Sequence, residues 1–262
     1  MVLGSCIVSW LFAQILFVQV PVFSYVSLGV GVWLVYTIDH LIDAHKINHE
    51  AITARHQFHQ NHFVLLLFVW ISIFIITVPL ALYYLPTSTI YLGIIVAVIV
   101  VVHLILVFLL GGKVSNFIQK ELGVGLGYTL GVVIAPLSLS HTYSLYFVTS
   151  LLQLFCIAMI NIYTFSFFDI EKDKHQGHTS IARNIGRQQA NQLLNGLIII
   201  TGILILISTT LYPNMILYQL VFIIMYLPFV LIKVQQKYFK KQDNYRVLGD
   251  MVFLFPIFLC LF

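Results

Sequence analysis

Residues 63–110 read FVLLLFVWISIFIITVPLALYYLPTSTIYLGIIVAVIVVVHLILVFLL, two apolar runs on either side of a short turn at 84–87. The stretch contains no aspartate, glutamate, lysine or arginine. A helix crosses the hydrocarbon core of a bilayer in about 20 apolar residues, so each run is long enough to span a membrane. The runs are continuous and do not alternate with polar residues, which favours helices over transmembrane strands. We therefore predict two transmembrane helices, at 62–82 and 89–111.

The composition extends this pattern to the whole chain of 262 residues. Only 8% of the residues are charged, 60% are hydrophobic, and the mean hydropathy is +1.00. A soluble domain has about 25% charged residues, and a disordered chain combines low hydrophobicity with high charge. These values exclude both classes and predict an all-α integral membrane protein.

Nine apolar runs with short connections are predicted to cross the membrane. They lie at 3–20, 22–43, 62–82, 89–111, 122–139, 144–168, 191–211, 214–233 and 247–262. All 13 lysines and arginines lie in or beside alternate connections, namely 44–61, 112–121, 169–190 and 234–246. The positive-inside rule makes that face cytoplasmic. With nine crossings, the N-terminus then lies inside and the C-terminus lies outside. We expect a single multi-pass domain over residues 1–262, in the inner membrane of a bacterium.

Two Asp-x-x-x-Asp motifs lie on the predicted cytoplasmic face, Asp39 with Asp43 after the second span and Asp169 with Asp173 after the sixth. Side chains at i and i+4 share one face of a helix, and two anions placed there repel each other. An ionised aspartate also costs roughly 2.5–3.5 kcal/mol at the centre of a span. A cation would relieve both costs, and Mg²⁺ is commonly held by carboxylates together with substrate phosphates. Two facing pairs therefore predict a site for a metal-bound diphosphate.

A weak internal duplication connects the two motifs. Each aspartate of the second motif follows its counterpart by 130 positions, and so does His175, which follows His45. An Ala-Arg pair ending in Arg55 is repeated, at an offset of 128, as the pair ending in Arg183. Internal repeats in membrane proteins often place a site at their interface. Both motifs end even-numbered spans, so we expect them to face one cavity through the segments 39–61 and 169–190.

Residues 169–186 read DIEKDKHQGHTSIARNIG. An Asp-x-x-x-Asp followed by Gly, Thr or Ser, Ala, Arg and Gly resembles the second motif of the UbiA superfamily of membrane prenyltransferases. Nine spans with cytoplasmic motifs are also similar to that family, so the resemblance covers nearly the whole chain. The first motif departs from the family pattern, N-x-x-x-D-x-x-x-D. Val35 stands at the Asn position, and Tyr36 stands where an Asp often follows it.

The resemblance implies a UbiA-like bundle that transfers a prenyl group from an isoprenyl diphosphate to a lipophilic acceptor, aromatic compounds included, with Mg²⁺ as cofactor. The implied ligands of Mg²⁺ and diphosphate are Asp39, Asp43, Asp169 and Asp173. Bases that would stabilise charge on the departing diphosphate are Lys113, Arg183, Lys120 and Arg55. Asn161, on the same helix face as the second motif, is expected to line the cavity. The expected partners are the two substrates and membrane lipid, with no nucleic acid.

The residues by themselves are also compatible with other classes of function. Val35 and Tyr36 are compatible with a non-catalytic relative that binds isoprenoid lipids. Histidines at H-x-x-x-H and H-x-x-H spacings within 45–62 are compatible with a membrane di-iron oxidase, because imidazole binds iron. The chain has no His-His pair, and the oxidase leaves the aspartate pairs unexplained. A transporter would suit the duplication, but no span is interrupted by glycine or proline at matching positions.

The last predicted span begins with two opposite charges. Arg246 and Asp250 stand at positions i and i+4 of that helix. An ion pair between them would lower the cost of carrying Asp250 into the membrane. We therefore predict a structural ion pair within this single helix.

Overall fold

A computed structural model describes residues 1–46, 54–110, 117–176 and 180–261, and within these ranges every regular element is helical. The α-helices are α1 (Val2–Ile15), α2 (Val22–Lys46), α3 (Ala54–Asn61), α4 (Phe63–Tyr84), α5 (Thr87–Leu110), α6 (Phe117–Leu139), α7 (Leu145–Phe168), α8 (Ile170–Gln176), α9 (Ile181–Leu211), α10 (Ile216–Val234), α11 (Gln236–Phe239) and α12 (Asn244–Met251). Three 3₁₀ segments accompany them at Pro213–Met215, Lys241–Asp243 and Val252–Leu261. The predicted all-α architecture is confirmed.

Seven of these helical segments are long and apolar enough to cross a membrane. They are Val22–His45, Phe63–Tyr84, Thr87–Val107, Lys120–Leu139, Leu145–Phe168, Ile181–Leu211 and Pro213–Val234. They coincide with the second to the eighth predicted spans. The prediction of several transmembrane helices is confirmed for these seven, as far as length and composition decide it.

The two ends of the chain differ from the predicted spans. The first run, 3–20, forms a helix of only 14 residues, because α1 stops at Ile15 and Phe17 turns the chain with a φ of 54°. The last run, 247–262, combines the end of α12 with the 3₁₀ segment Val252–Leu261, which contains Pro256. A 3₁₀ helix rises about 2.0 Å per residue against about 1.5 Å for an α-helix, so α12 and this segment together extend roughly 30 Å.

The core lies between α1, α6, α7, α9, α10 and the C-terminal 3₁₀ segment. Phe12, Ile157, Phe222 and Phe253 are fully buried there. By contrast, α4 has no buried residue, and α5 packs along α6 with most of its apolar side chains exposed. Exposed apolar helices are expected where the surrounding medium is lipid, because hydrocarbon does not drive such side chains inward.

A kink in α9 separates its charged first turn from its apolar length. Gly186 interrupts the helix with φ 81° and ψ 160°, a conformation that is essentially restricted to glycine. Residues 181–185 therefore form a short separate turn beside the second aspartate motif. The predicted start of this span at 191 falls just beyond the kink.

A close contact between α1 and the C-terminal segment generates a prediction on stability. A Cβ added to Gly4 would lie 2.8 Å from Cβ of Phe253, whereas one added to Gly31 on α2 meets no atom within 4 Å. We expect Gly4→Ala to lower the free energy of unfolding by about 1–3 kcal/mol through overpacking. Gly31→Ala should leave it unchanged or raise it slightly. Thermal unfolding of the purified protein in detergent compares the two, and equal melting temperatures would contradict the packing described.

Candidate functional site

The first aspartate pair lies at the C-terminal end of α2. Asp39, His40 and Asp43 each offer one ligand atom, and these three atoms all lie within 4.8 Å of one another. The Asp39 side chain is 34% exposed and that of Asp43 is 16% exposed, so both carboxylates are accessible. Carboxylate oxygens are the ligands that Mg²⁺ prefers, while imidazole suits transition metals better. The two carboxylates therefore fit a small hard cation that completes its shell with other oxygens.

Lys120, at the start of the membrane-crossing part of α6, interacts with acidic groups of both motifs. Its Nζ is 3.8 Å from Oδ2 of Asp43. It also interacts electrostatically with Asp39 and with Asp173 of the second motif. One basic side chain thus faces acidic groups from two helices whose motifs are 130 positions apart in the sequence. The described structure brings both motifs to the same end of the bundle.

The second motif is divided between two helices. Asp169 is the C-cap of α7, where the backbone leaves helical geometry, and Asp173 lies one turn later in α8. Asp169 is only 3% exposed. Its Oδ1 accepts a hydrogen bond from the Tyr245 hydroxyl at 2.6 Å, and its Oδ2 accepts one from the Arg246 guanidinium. The Lys172 ammonium lies 3.5 Å from Oδ1. Both oxygens of this carboxylate are therefore already bonded by protein donors.

The Asp173 carboxylate has fewer protein donors bonded to it than the Asp169 carboxylate. Burial raises the pKa of its carboxyl, and the nearby charge of Asp169 raises it further. The nearby Ser180 hydroxyl and the positive charges of Lys120 and Arg246 lower the pKa in the opposite direction. Nη1 of Arg183 lies 3.5 Å from the backbone oxygen of Asp173, which places this predicted base at the second motif.

The remaining predicted residues are placed differently. Lys113 lies outside the described residues, and so does the side chain of Arg55 in α3. Asn161 is 2% exposed in α7, and a Cβ at Gly249 would lie 2.4 Å from its Oδ1. The structure thus places Asn161 in the contact between α7 and α12, where an amide typically supports helix packing.

Histidines of the predicted loop pack against other rings wherever the structure describes them. The rings of His40 and His59 are perpendicular with centroids 5.0 Å apart, and both residues are buried. His62 lies 4.8 Å from the ring of Phe58, and His45 lies 5.9 Å from the ring of Phe63. His49 and His178 lie outside the described residues. Among described side chains, the cluster with metal-ligand spacing is the one at Asp39, His40 and Asp43.

Sequence reasoning did not find Glu121 and Tyr245, which organise this end of the bundle, and it predicted a different partner for Arg246. Oε1 of the buried Glu121 accepts a hydrogen bond from the backbone N–H of Ile181 at 2.7 Å, which satisfies one free donor at the start of α9. Arg246 bonds to Asp169 across 77 positions, although the i, i+4 pattern had indicated Asp250. No local pattern predicts contacts of such sequence separation.

Comparison of the chain with protein-family models, with curated proteins and with solved structures finds no match. What bears on function is thus the set of side chains at the end of the bundle where α2, α6, α7 and α9 meet. That set combines accessible carboxylates with fixed cations beside an apolar interior. Such a combination suits a ligand that is both strongly anionic and lipophilic.

The hydrogen bond from Ile181 to Glu121 generates a prediction on stability. Glu121→Ala leaves that buried N–H without an acceptor, and we expect a loss of about 1–3 kcal/mol in the free energy of unfolding. Glu121→Gln keeps an acceptor oxygen and should lose less than about 1 kcal/mol. Thermal unfolding in one detergent measures both variants. A glutamine variant as unstable as the alanine variant would show that the contact is not what stabilises this helix end.

Proposed function

We propose that this protein transfers a prenyl group from an isoprenyl diphosphate to a lipophilic acceptor within the membrane, with Mg²⁺ as its cofactor. The observation that carries the proposal is the approach of both aspartate motifs to Lys120. Asp43 lies 3.8 Å from the Lys120 ammonium, and Asp173 interacts with the same group. A diphosphate carries negative charge that needs both metal ions and fixed cations, and this end of the bundle offers ligands for both.

The residues of α2 are the best fitted to hold Mg²⁺. Asp39 and Asp43 offer two accessible carboxylates one helical turn apart, and His40 completes a group whose ligand atoms span no more than 4.8 Å. When bound there, the cation supplies charge neutralisation to the diphosphate oxygens. Asp173, which interacts electrostatically with Lys120 and whose backbone oxygen lies 3.5 Å from Arg183, would hold these two cations near the same ligand.

Lys120 and Arg183 would stabilise the leaving group. The carbon–oxygen bond of the donor breaks, and its electron pair departs with the diphosphate. The acceptor forms a new bond to the prenyl carbon and releases a proton. The Lys120 ammonium, 3.8 Å from Asp43, would donate hydrogen bonds to the departing oxygens as their negative charge grows. Fixed cations that need no reorganisation during the reaction lower the barrier more than water does.

We also propose a membrane topology and a cellular location for the protein. We place the N-terminus inside, nine crossings in total, and the site on the cytoplasmic face of a bacterial inner membrane. The distribution of all 13 basic residues supports this orientation. The C-terminal segment of roughly 30 Å supports a further crossing beyond the seven long helices, because the hydrocarbon core is about 30 Å thick.

Cysteine labelling tests the orientation. With Cys6, Cys156 and Cys260 replaced by serine, Thr142→Cys places a thiol in an exposed outer turn, and Lys241→Cys places one on the basic face. A membrane-impermeant maleimide should label the first variant in intact cells, and the second only after the cells are permeabilised. The reverse pattern would contradict a cytoplasmic site.

Release of diphosphate tests the chemistry. Purified protein with Mg²⁺, a panel of allylic prenyl diphosphates and a panel of lipophilic acceptors should release inorganic diphosphate. Because each side chain acts on charge that develops in the reaction, Asp39→Ala, Asp173→Ala and Lys120→Met should each lower the rate by about 100-fold or more. Glu171→Gln, at an exposed carboxylate of α8, is the matched control and should retain the rate.

The outcomes separate the rival functions. Binding of prenyl diphosphate without any turnover would favour the non-catalytic relative, with which Val35 and Tyr36 in the first motif are compatible. Two irons per purified chain would favour the oxidase and would contradict the transferase. Turnover that survives all three substitutions would show that the chemistry occurs elsewhere in the chain.

A further inference from the structure

The carboxylates of the two motifs differ in what surrounds them. The Asp169 side chain is 4% exposed, against 34% for Asp39 and 16% for Asp43. Tyr245 and Arg246 bond directly to the two oxygens of Asp169. For Asp43, in contrast, the Lys120 ammonium at 3.8 Å is beyond hydrogen-bonding distance.

The donors to Asp169 are themselves fixed by packing. The ring of Tyr245 stacks on Phe168 with centroids 4.5 Å apart and an interplanar angle of 13°. The guanidinium of Arg246 lies 5.1 Å from the ring centroid of Phe165. One turn later, Gly249 allows α12 to approach α7 so closely that a Cβ there would lie 2.9 Å from the Phe165 ring. These contacts hold Tyr245 and Arg246, in the first turn of α12, against Asp169.

A second cation lies beside the Asp169 carboxylate. Lys172 lies 3.5 Å from Oδ1 of Asp169 and also bonds Asp243 at 2.7 Å. A metal ion at Asp169 would compete with the guanidinium for a carboxylate that is only 4% exposed. Displacement of the guanidinium would leave a partly buried arginine without its partner, which is strongly unfavourable.

We infer that Asp169 is not a metal ligand in this protein, that Arg246 takes the place of a cation there, and that the site binds one divalent ion, at Asp39 and Asp43. The cation part of this inference rests on the proposed function. The guanidinium lies where a second metal ion would otherwise balance the α7 side of the site. Tyr245 and Arg246 are accordingly positioning residues, and the C-terminal segment is part of the site rather than only a membrane crossing.

Mn²⁺ binding without substrate tests the assignment of ligands. Bound and free Mn²⁺ are measured by electron paramagnetic resonance on the full-length purified protein. We expect one Mn²⁺ per chain, an affinity within about 3-fold of wild type for Asp169→Asn, and a loss of 10-fold or more for Asp43→Asn. Two ions per chain, or equal losses in both variants, would overturn the inference.

Thermal unfolding tests the partner of Asp169 independently of any metal. Arg246→Gln leaves a buried carboxylate without its principal partner and should lower Tm by roughly 5–10 °C. The double variant Asp169→Asn with Arg246→Gln removes both charges and should melt above Arg246→Gln alone. Glu171→Gln, at an exposed carboxylate of α8, is the control and should change Tm by less than about 2 °C. A double variant that melts at or below the Arg246→Gln variant would overturn the pairing.

The two measurements distinguish this inference from the proposed function. A protein that binds one Mn²⁺ at α2 but releases no diphosphate contradicts the transferase and leaves the inference standing. A wild-type protein that binds no Mn²⁺ overturns both the single-ion site and the metal-dependent proposal.

Discussion

The exclusion of charge from an apolar interior is the constraint on which this structure depends. With 60% hydrophobic residues and 8% charged ones, the chain has few polar groups to distribute, and a bilayer admits them only near its surface. Acidic and basic side chains therefore collect where the ends of α2, α6, α7 and α9 meet. Once gathered, these groups must satisfy one another, because burying an isolated charge is costly. The ion pairs of Lys120 and Arg246 follow from that requirement.

The two aspartate motifs look alike in sequence, yet they satisfy this requirement in different ways. On α2 the carboxylates remain accessible, and the Lys120 ammonium lies 3.8 Å from Asp43. At the end of α7, Asp169 is enclosed by Tyr245, Arg246 and Lys172. A duplicated motif thus supplies one open carboxylate pair and one structural anchor. The difference arises because α12 packs against α7 and brings Tyr245 and Arg246 to Asp169, whereas α3, which packs against α2, brings His59 to His40.

The sequence predicted most of the fold, because transmembrane helices depend on local composition. An apolar run of sufficient length must form a helix in lipid, since every backbone polar group needs an internal partner. The seven central spans follow from this rule alone. The rule does not predict the winding at the ends, where turn geometry decides: α1 stops at Ile15 before the turn at Phe17, and the last segment forms a 3₁₀ helix that contains Pro256. Hydropathy carries no information on such winding.

By itself, the sequence determined that the chain is helical and membrane-embedded, that its charges lie at alternate connections, and that two acidic motifs recur at a fixed offset. These properties depend on residue type and on short spacings. Only the tertiary structure decided which carboxylates stay open and which become buried. Arg246 bonds to Asp169 rather than following its local i, i+4 spacing, and Glu121 receives the first N–H of α9. Such partners are separated by 60 or more positions, and the packing of distant helices alone brings them within reach.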